Sequence, residues 1–510
     1  MSGDTRTYST TGFLVRRFTN ASTWFRGSIL AALLIVTSGL AGCHRTGASH
    51  AAAADQPSIS KPNPNACNAN DDDVDGLNSD PSTNVHAERD YAATVSRMLK
   101  EEKFETLDCL ADRTRSNKER FPGGTWKLHE LYKGLYEPVQ YPVTHPTDDD
   151  WDELLRQLRH WVALRPKSVT ARIALASAYI GYAKDARGEG DASTVSEGGW
   201  KLFRERTAAA ERILKEASTL HTKCPEWYIA MQGVARNQNW DAARKRKLFE
   251  KAYKFNPGYY YSAGMFASDL LPKQGGKPGD TETFLQQLAD HIGGDRGDIF
   301  YYQVANTPGL LCNCDEDPHL SWQRIKRGFE ASEKQYGISL LNLNRLAFLA
   351  AHYGRLDPIF AEKAFSRIGE HLNEETWERE EDFESAKQWA VRWAPAMAKE
   401  QTWQAEAEAN LRTPQGSRYS AAFERKLGEL LQQCIRIQGP SMGIIETLTS
   451  VGANGTVENA TVHGPGGVCV YQKLLSLQGD RTTLFPPPPQ APYWVKLDLD
   501  WANFTSAPTK

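Results

Sequence analysis

Three aspartates at alternate positions form a candidate metal site. Asp71, Asp73 and Asp75 are followed by Gly76, as in the first half of a calcium-binding loop. Alternate carboxylates converge on the ion in such a loop, and glycine permits its sharp turn. Ser82 stands where the loop requires a bidentate glutamate. The three aspartates are therefore a calcium candidate, and a plain acidic linker is the favoured alternative.

Cysteine pairing is a second chemistry that the residue types allow, since the chain holds eight cysteines. Cys434 lies near the end of a predicted helix and Cys469 at the start of the next. If both helices pack on one sheet face, the Cα atoms reach the ~5.5 Å separation of a disulfide. The alternative is two buried free thiols. Cys312 and Cys314 would need two further ligands, which the sequence does not locate, to bind a metal.

Recognisable catalytic signatures are absent. The sequence contains no GxSxG, HExxH, P-loop or paired CxxC pattern. His160 and His352 stand in apolar helical patterns, where a histidine without a partner is more often a packing residue than a catalyst. Five tyrosines near predicted helix junctions are expected to pack in the core rather than to form a ligand box. They are Tyr259, Tyr260, Tyr261, Tyr301 and Tyr302. We predict no cofactor, and we favour a protein that is not an enzyme.

The middle of the chain would position any functional site. Its apolar residues recur at the spacing of an α-helix. From residue 88 to about 412, apolar residues recur at three- and four-residue spacing, and strand signals are scarce. One stripe runs from Trp151 to Val162, and Thr147 with Asp150 forms a near capping box before it. Helix follows helix with proline or glycine at the joints, which is typical of stacked helical hairpins.

Parts of the helical region resemble two known groups of proteins. Residues 248–257 resemble the end of a tetratricopeptide repeat, and Pro225 and Pro257 are 32 residues apart, close to the repeat length of ~34. Further runs stand out at 121–128, 183–190, 256–260, 270–276 and 291–301. Together these runs resemble a bacterial family known only as a domain of unknown function, which implies no activity. The predicted fold class is mainly α: a tetratricopeptide-like helical-hairpin array followed by a small α+β domain.

The tail follows a different pattern from about residue 412. A helix ending near 434 precedes two strands around a hairpin turn, a short helix, a proline-rich link and a last alternating strand. The predicted bounds are 444–451 and 455–462 for the first strands, 468–477 for the helix, 484–489 for the link and 493–501 for the last strand. This order resembles the C-terminal domain of TonB-type energy transducers, which implies binding of partner strands by edge pairing. That family's retained transmembrane helix and long proline-rich stalk are not found.

The N-terminal segment predicts export and lipid anchoring. Basic residues precede an apolar stretch that is too short to span a membrane comfortably and ends in small residues. Leu-Ala-Gly-Cys at 40–43 resembles the bacterial lipobox. The resemblance implies cleavage between Gly42 and Cys43 and lipidation of Cys43, which would attach the protein to a membrane. An ordinary cleaved signal or an uncleaved anchor helix is the alternative.

Four segments follow from these patterns. They are a lipoprotein signal peptide at 1–42, a flexible acidic tether at 43–86, the tetratricopeptide-like helical domain at 87–411 and the TonB-C-like domain at 412–504. The net charge of −3 becomes −6 when residues 1–42, with four arginines and one aspartate, are removed. An acidic envelope protein is not expected to bind nucleic acid.

We expect a non-catalytic, lipid-anchored protein of the bacterial cell envelope that faces the periplasm. Its function would be that of a scaffold for an unknown envelope protein or peptide. His44, rather than aspartate, follows Cys43. In a bacterium with two membranes, the resemblance to lipoproteins then implies the outer membrane rather than the inner. The alternatives are an envelope enzyme or enzyme accessory acting on glycan or peptide, and a TonB-like transport-associated partner. Carboxylates paired in a deep polar pocket would favour the enzyme, and a shallow apolar groove would favour the scaffold.

Overall fold

The structure is a computed structural model, and its description covers most of the chain from Gly76 to Asp500. The described residues are 76–138, 146–188, 190–307, 310, 320–351, 357–377, 379–432, 434, 444–463, 467–478, 480, 482 and 485–500. The predicted cleavage site, Cys43, the aspartates Asp71, Asp73 and Asp75, the cysteines Cys312 and Cys314, and His352 lie outside these ranges.

The described part of the chain is mainly helical, as the apolar periodicity predicts. The helices up to the middle of the chain are α1 Ala87–Lys100, α2 Phe104–Asn117, α3 Lys127–Tyr136, α4 Asp148–Leu164, α5 Val169–Arg187, α6 Glu197–Thr219, α7 Pro225–Asn237, α8 Ala242–Phe255 and α9 Tyr261–Asp269. They are followed by α10 Asp280–Ile292, α11 Gly294–Ala305, α12 Trp322–Tyr336, α13 Leu340–Ala351, α14 Pro358–Ile368, α15 Glu374–Trp377 and α16 Glu380–Leu411. Short 3₁₀ helices lie at Ala192–Thr194 and Pro272–Gln274.

Local sequence explains where these helices begin. Thr147 and Asp150 form a complete capping box before α4, so two backbone N–H groups that the helix cannot satisfy gain partners. Ser168 caps α5 through the N–H of Ala171. Pro225 occupies the first turn of α7, where its missing N–H costs nothing. Consecutive helices then pack against each other, as α4 with α5 and α5 with α6.

The predicted tether extends too far toward the C-terminus. Leu77 and Val85 are buried in the helical core, and the N–H of Leu340 donates to the carbonyl of Pro81 at 2.9 Å. Gly76 lies so close to α1 that a Cβ there would be 2.1 Å from Oγ1 of Thr94. Residues 76–86, the last eleven of the predicted tether, therefore belong to the packed structure. The polar composition of 43–86 as a whole obscured the two apolar residues that pack in the core.

The tail contains a three-stranded antiparallel sheet in the order β2-β1-β3. Its elements are α17 Pro414–Leu430, β1 Ile444–Val451, β2 Val457–His463, α18 Gly467–Ser476 and β3 Tyr493–Asp500. Strand β2 begins two residues later than predicted, because Gly455 belongs to the turn at a φ of +82°. Helices α17 and α18 cover one face of the sheet around Phe423, Val470 and Leu474.

Helix α16 contributes to two of the three hydrophobic clusters of the described chain. Phe383 and Ala390, in its first half, are buried among the other helices. Trp403 and Ala407, in its second half, pack on the sheet face opposite α17 and α18. Pro395 lies between these two contacts, inside the helix. One continuous helix of 32 residues therefore connects the helical part with the sheet.

Cys434 and Cys469 form a disulfide, with their Cα atoms 5.7 Å apart. The bridge fastens the region after α17 to the start of α18. Cys109 is disulfide-bonded as well, whereas Cys224 is buried and free. In the described ranges no helix combines the length and the apolar character needed to cross a membrane.

Candidate functional site

Two adjoining chambers lie within the helical part. The apolar chamber has a volume of about 420 Å³ and is lined in part by Trp151, Ile180, Ile229 and Met265. The polar chamber has a volume of about 260 Å³. Its lining includes Glu88, Glu130, Lys133, Tyr302, Asn306 and Arg345. The two chambers share the walls formed by His129, Tyr136, Glu137, Tyr261 and Thr307.

Helix α3 places several of the ionisable groups of this site. His129, Lys133 and Tyr136 follow one another at four- and three-residue spacing and so share one helix face. Gly134 lets α3 approach α1 closely, since a Cβ there would be 2.3 Å from the carbonyl oxygen of Ala92. This close packing brings Glu88 of α1 to the same chamber as Glu130 of α3.

Hydrogen bonds tie the start of α3 to the start of α9. The carbonyl of Gly258 accepts from the guanidinium of Arg120 and from Nε1 of Trp126, both at 3.1 Å. Arg120 also donates to the carbonyl of Gly124 at 2.8 Å. The runs 121–128 and 256–260, which the sequence singles out, therefore meet beside the chambers.

Glu88 is the most perturbed carboxyl group of the polar chamber. It is 6% exposed, and burial raises its pKa to about 7. The negative charge of Glu130 acts in the same direction, and the positive charge of Arg345 opposes both. A large fraction of Glu88 is therefore protonated near neutral pH.

Glu130 and Glu137 differ in how strongly the positive charge of Lys133 acts on them. The ammonium of Lys133 lies 3.1 Å from Oε2 of Glu130, and the charge of Glu130 holds the pKa of Lys133 above its ordinary value. Burial raises the pKa of Glu137, although Lys133 lowers it in part. The chamber thus has three carboxyl groups around one lysine and one arginine.

Several buried polar atoms of the polar chamber have no hydrogen-bond partner in the described structure. They are Oε1 of Glu88, the hydroxyl of Tyr302, Oδ1 of Asn306 and Oε2 of Glu130, the last of which has only its ion pair with Lys133. The amide nitrogen of Asn306 donates to Oδ1 of Asn342 at 2.9 Å, which leaves its oxygen as an unused acceptor. A buried polar group without a partner costs about 1–3 kcal/mol. The chamber is therefore suited to receive hydrogen-bond donors.

A histidine–carboxylate pair forms part of the wall between the chambers. Nδ1 of His129 donates to Oε1 of Glu226 at 2.8 Å, and the hydroxyl of Tyr259 donates to the same oxygen. The ring of His129 stacks on Tyr261 with 3.6 Å between centroids. These contacts fix the orientation of the imidazole, as a general base requires.

Lys184 contributes a cation to the apolar chamber. Surrounding protein atoms lower the pKa of Lys184 by desolvation, and the charge of Arg236 lowers it further, although the residue as a whole is exposed. Arg236 is itself paired with Asp269 at 2.7 Å. The apolar chamber thus presents one ammonium group amid apolar walls.

The residues singled out in the sequence are mostly structural. Tyr259 and Tyr301 are core residues, as predicted, but Tyr260, Tyr261 and Tyr302 also line the polar chamber. Outside the chambers, His160 binds Oε1 of Glu102 at 3.0 Å and packs edge-on against Phe104. Within the described ranges, no group of three or more metal-ligating side chains is placed to hold an ion.

Sequence reasoning missed the functional cluster. It did not select Glu88, His129, Glu130 or Glu226. These residues lie on three helices, α1, α3 and α7, that are separated in the chain. A usable signal was present in α3, where a histidine, a glutamate and a lysine interrupt an otherwise apolar helix. Charges within a buried stripe must find partners, and such partners often belong to a site.

The fold and site define a mainly helical protein with a small antiparallel sheet and a buried, charged double chamber. Comparison of the chain with protein-family models, with curated proteins and with solved structures finds no match in any of the three. The function is therefore inferred from the site itself.

Proposed function

We propose that this protein is a lipid-anchored protein of the bacterial cell envelope whose helical domain binds a peptide segment of a partner. The observation that carries the proposal is the double chamber, in which apolar walls adjoin buried polar atoms that lack partners. The volume of the apolar chamber alone falls within the ~300–1,000 Å³ of ordinary ligand sites.

We propose a tetratricopeptide-like arrangement of the helices, which would suit peptide binding. Consecutive helices pack in pairs, and Pro225 and Pro358 begin helices after short connections. Helical-hairpin arrays expose extended concave surfaces to their partners. The proposed fold therefore matches the proposed use of the cleft.

The tail is proposed to be a TonB-C-like domain that has become part of this scaffold. Its antiparallel sheet has edges at β2 and β3, which is the requirement for pairing with a partner strand. The contact of α16 with one sheet face departs from a domain at the end of a flexible stalk.

Anchoring at Cys43 would place this domain at a membrane surface facing the periplasm. The support is the order of basic residues, apolar stretch and Leu-Ala-Gly-Cys at 40–43. Outer-membrane attachment is proposed from His44, which follows the cysteine.

A blocked chamber tests the peptide-binding proposal. In Met265→Trp, a larger side chain would occupy the apolar chamber, and Val391→Trp provides the control because Val391 is exposed on α16. Full-length proteins in detergent are mixed with a defined set of unstructured apolar peptides and examined by native mass spectrometry. We expect complexes with the natural chain and with the control, and none with Met265→Trp. Absence of any complex, or equal binding by all three proteins, contradicts the proposal.

Peptide hydrolysis is the second candidate function, and the His129–Glu226 pair is the observation that favours it. A carboxylate-held imidazole can accept a proton from an attacking water. In the described structure no hydroxyl or thiol is hydrogen-bonded to the other ring nitrogen of His129. Water is therefore the nucleophile that this candidate requires.

Product analysis separates the two candidates. If the protein is a hydrolase, peptides bound by the natural chain are cleaved, and His129→Gln slows cleavage by about 100-fold or more while binding persists. His160→Gln is the matched control, because His160 also binds a glutamate but lies outside the chambers. Intact peptides after long incubation with the natural chain eliminate the hydrolase.

A further inference from the structure

We propose that the polar chamber binds a primary ammonium group of the peptide, either its N-terminal amine or a lysine side chain, while the apolar chamber receives neighbouring apolar side chains. The ammonium site rests on the proposed function, since it names the chemistry of the peptide that the cleft takes.

Unused hydrogen-bonding atoms provide the geometric basis. Glu88 is 6% exposed and Tyr302 is 1% exposed, and both line the chamber with a polar atom that lacks a partner. The free atom of Asn306 is an acceptor, because its amide hydrogens face Asn342. An ammonium group has three donors and no acceptor. It therefore matches the carboxylate, carbonyl and hydroxyl oxygens that this chamber offers.

The charge balance of the chamber favours a cation over an anion. Glu88, Glu130 and Glu137 line it together with the fixed positive charges of Lys133 and Arg345. Burial is the main reason that the pKa values of Glu88 and Glu137 are raised, and the nearby cations offset it only in part. An incoming ammonium ion would stabilise their ionised forms. An anion would add repulsion to three acidic groups.

An ion pair and hydrogen bonds hold two of these groups in place before any ligand arrives. Lys133 fixes Glu130 at 3.1 Å. Asn342 fixes Asn306 and in turn donates to the carbonyl of Gly123 at 3.2 Å. Preorganised acceptors reduce the entropy that is lost when a ligand binds. Tyrosine rings at 260, 261 and 302 also line the chamber, and aromatic rings attract ammonium groups.

The apolar chamber supplies the second half of the recognition. Ile180, Ile229 and Met265 line it on three different helices. Because His129 and Tyr261 belong to the walls of both chambers, a ligand seated at the ammonium site would have its neighbouring side chain close to these apolar residues. A peptide with an apolar residue beside its amine satisfies both chambers.

Peptides with blocked and unblocked amines test the site. Calorimetric titrations use the full-length protein in detergent and three probes: Leu-Ala-Leu amide, acetyl-Leu-Ala-Leu amide and acetyl-Leu-Lys-Leu amide. We expect the fully blocked peptide to bind at least about tenfold more weakly than the better of the other two. Preference for Leu-Ala-Leu amide identifies the N-terminal amine as the source, and preference for the lysine peptide identifies the side chain.

Other results overturn the ammonium site and remain distinguishable from failure of the proposed function. Equal binding of all three peptides contradicts the ammonium site and leaves peptide binding in place. Binding of none of them contradicts both. In that case buried water satisfies the unpaired atoms, as it does in many protein interiors.

Two variants localise the effect to the polar chamber. Tyr302→Phe removes only a hydroxyl that has no partner, so it should preserve folding and weaken the unblocked peptide by about tenfold. Glu88→Gln should abolish the preference for an unblocked amine. The matched control is Glu105→Gln, an exposed glutamate on α2, which should change nothing. Natural affinity in both Tyr302→Phe and Glu88→Gln rules the site out.

Discussion

Trp403 of α16 stacks on Trp494 of β3, with 4.3 Å between ring centroids and 18° between ring planes. This contact joins the long helix to the sheet face that α17 and α18 leave uncovered. Three polar contacts surround it. Oε1 of Glu400 accepts from Thr461 at 2.8 Å and from His463 at 2.6 Å, and Glu408 lies 3.9 Å from Lys496.

The first prediction concerns this stacked pair. Trp403→Ala should lower the free energy of unfolding by about 2–3 kcal/mol, because it removes a half-buried aromatic side chain and leaves Trp494 partly uncovered. Chemical denaturation measures the change. Trp393→Ala is the control on the same helix, since Trp393 is 50% exposed and should matter by less than about 1 kcal/mol. Equal losses in the two variants contradict the prediction.

The second prediction concerns the pH dependence that Glu88 imposes. Its pKa rises from 4.5 in the unfolded chain to about 7 in the fold. A raised pKa favours the protonated folded state, so the contribution is fully present below pH 4.5 and is lost as the pH rises through 7. Glu88→Gln stays neutral at every pH. Relative to the natural chain it should therefore gain stability on going from pH 5 to pH 8, by up to about 3 kcal/mol.

Thermal or urea unfolding without added peptide, at several pH values, measures this difference. The groups that face Glu88 are Glu130, Lys133 and Arg345, together with the hydroxyls of Thr125 and Tyr260. All of them are present in both proteins, so their own titration largely cancels in the comparison. A difference that does not change with pH contradicts the raised pKa of Glu88.

The third prediction concerns the disulfide between Cys434 and Cys469. Non-reducing peptide mapping of the purified protein should recover the two cysteines in one linked fragment. Replacement of either by serine should cost about 3–4 kcal/mol, because the bridge closes a loop of 35 residues. The double variant should cost little more than either single variant, since all three remove the same bond. Recovery of both as alkylatable thiols contradicts the bridge.

The fourth prediction concerns the proposed anchor. Cys43→Ala should leave the protein soluble or uncleaved, because it removes the residue that the lipobox pattern designates for lipidation. Membrane fractionation and the intact mass of the product measure the outcome. Cys224→Ala is the control, because it alters a buried free cysteine and leaves position 43 intact. A processed Cys43→Ala protein that still sediments with membranes is incompatible with lipid anchoring at this residue.

Local features of the sequence were sufficient for the helical character of the middle region and for two of the three strands of the tail. The stripe from Trp151 to Trp161 is buried within α4, because helical periodicity directly records which face meets the core. The first and last strands of the tail were located to within one residue, since alternation and turn residues mark strand ends. The end of the tether was misplaced, because Leu77 and Val85 are single apolar residues in a polar segment.

The candidate site could not be derived in the same way. His129 and Glu226 are 97 residues apart, and their 2.8 Å contact depends on how α3 and α7 pack. Glu88 belongs to a third helix, α1, which can approach α3 closely because Gly134 has no Cβ. Periodicity in one helix does not specify which other helix it touches, so contacts between distant carboxylates and histidines require the folded structure.

Helix α16 also determines where the molecule would bend when a force is applied to it. At ~1.5 Å per residue the helix is about 48 Å long. It packs in one hydrophobic cluster near Phe383 and in another near Trp403. Pro395 has no N–H to offer the carbonyl of Val391, and Val391 is 58% exposed to solvent. A force applied to the sheet would therefore be transmitted along the helix axis, and the helix would bend mainly in the turn from Val391 to Pro395.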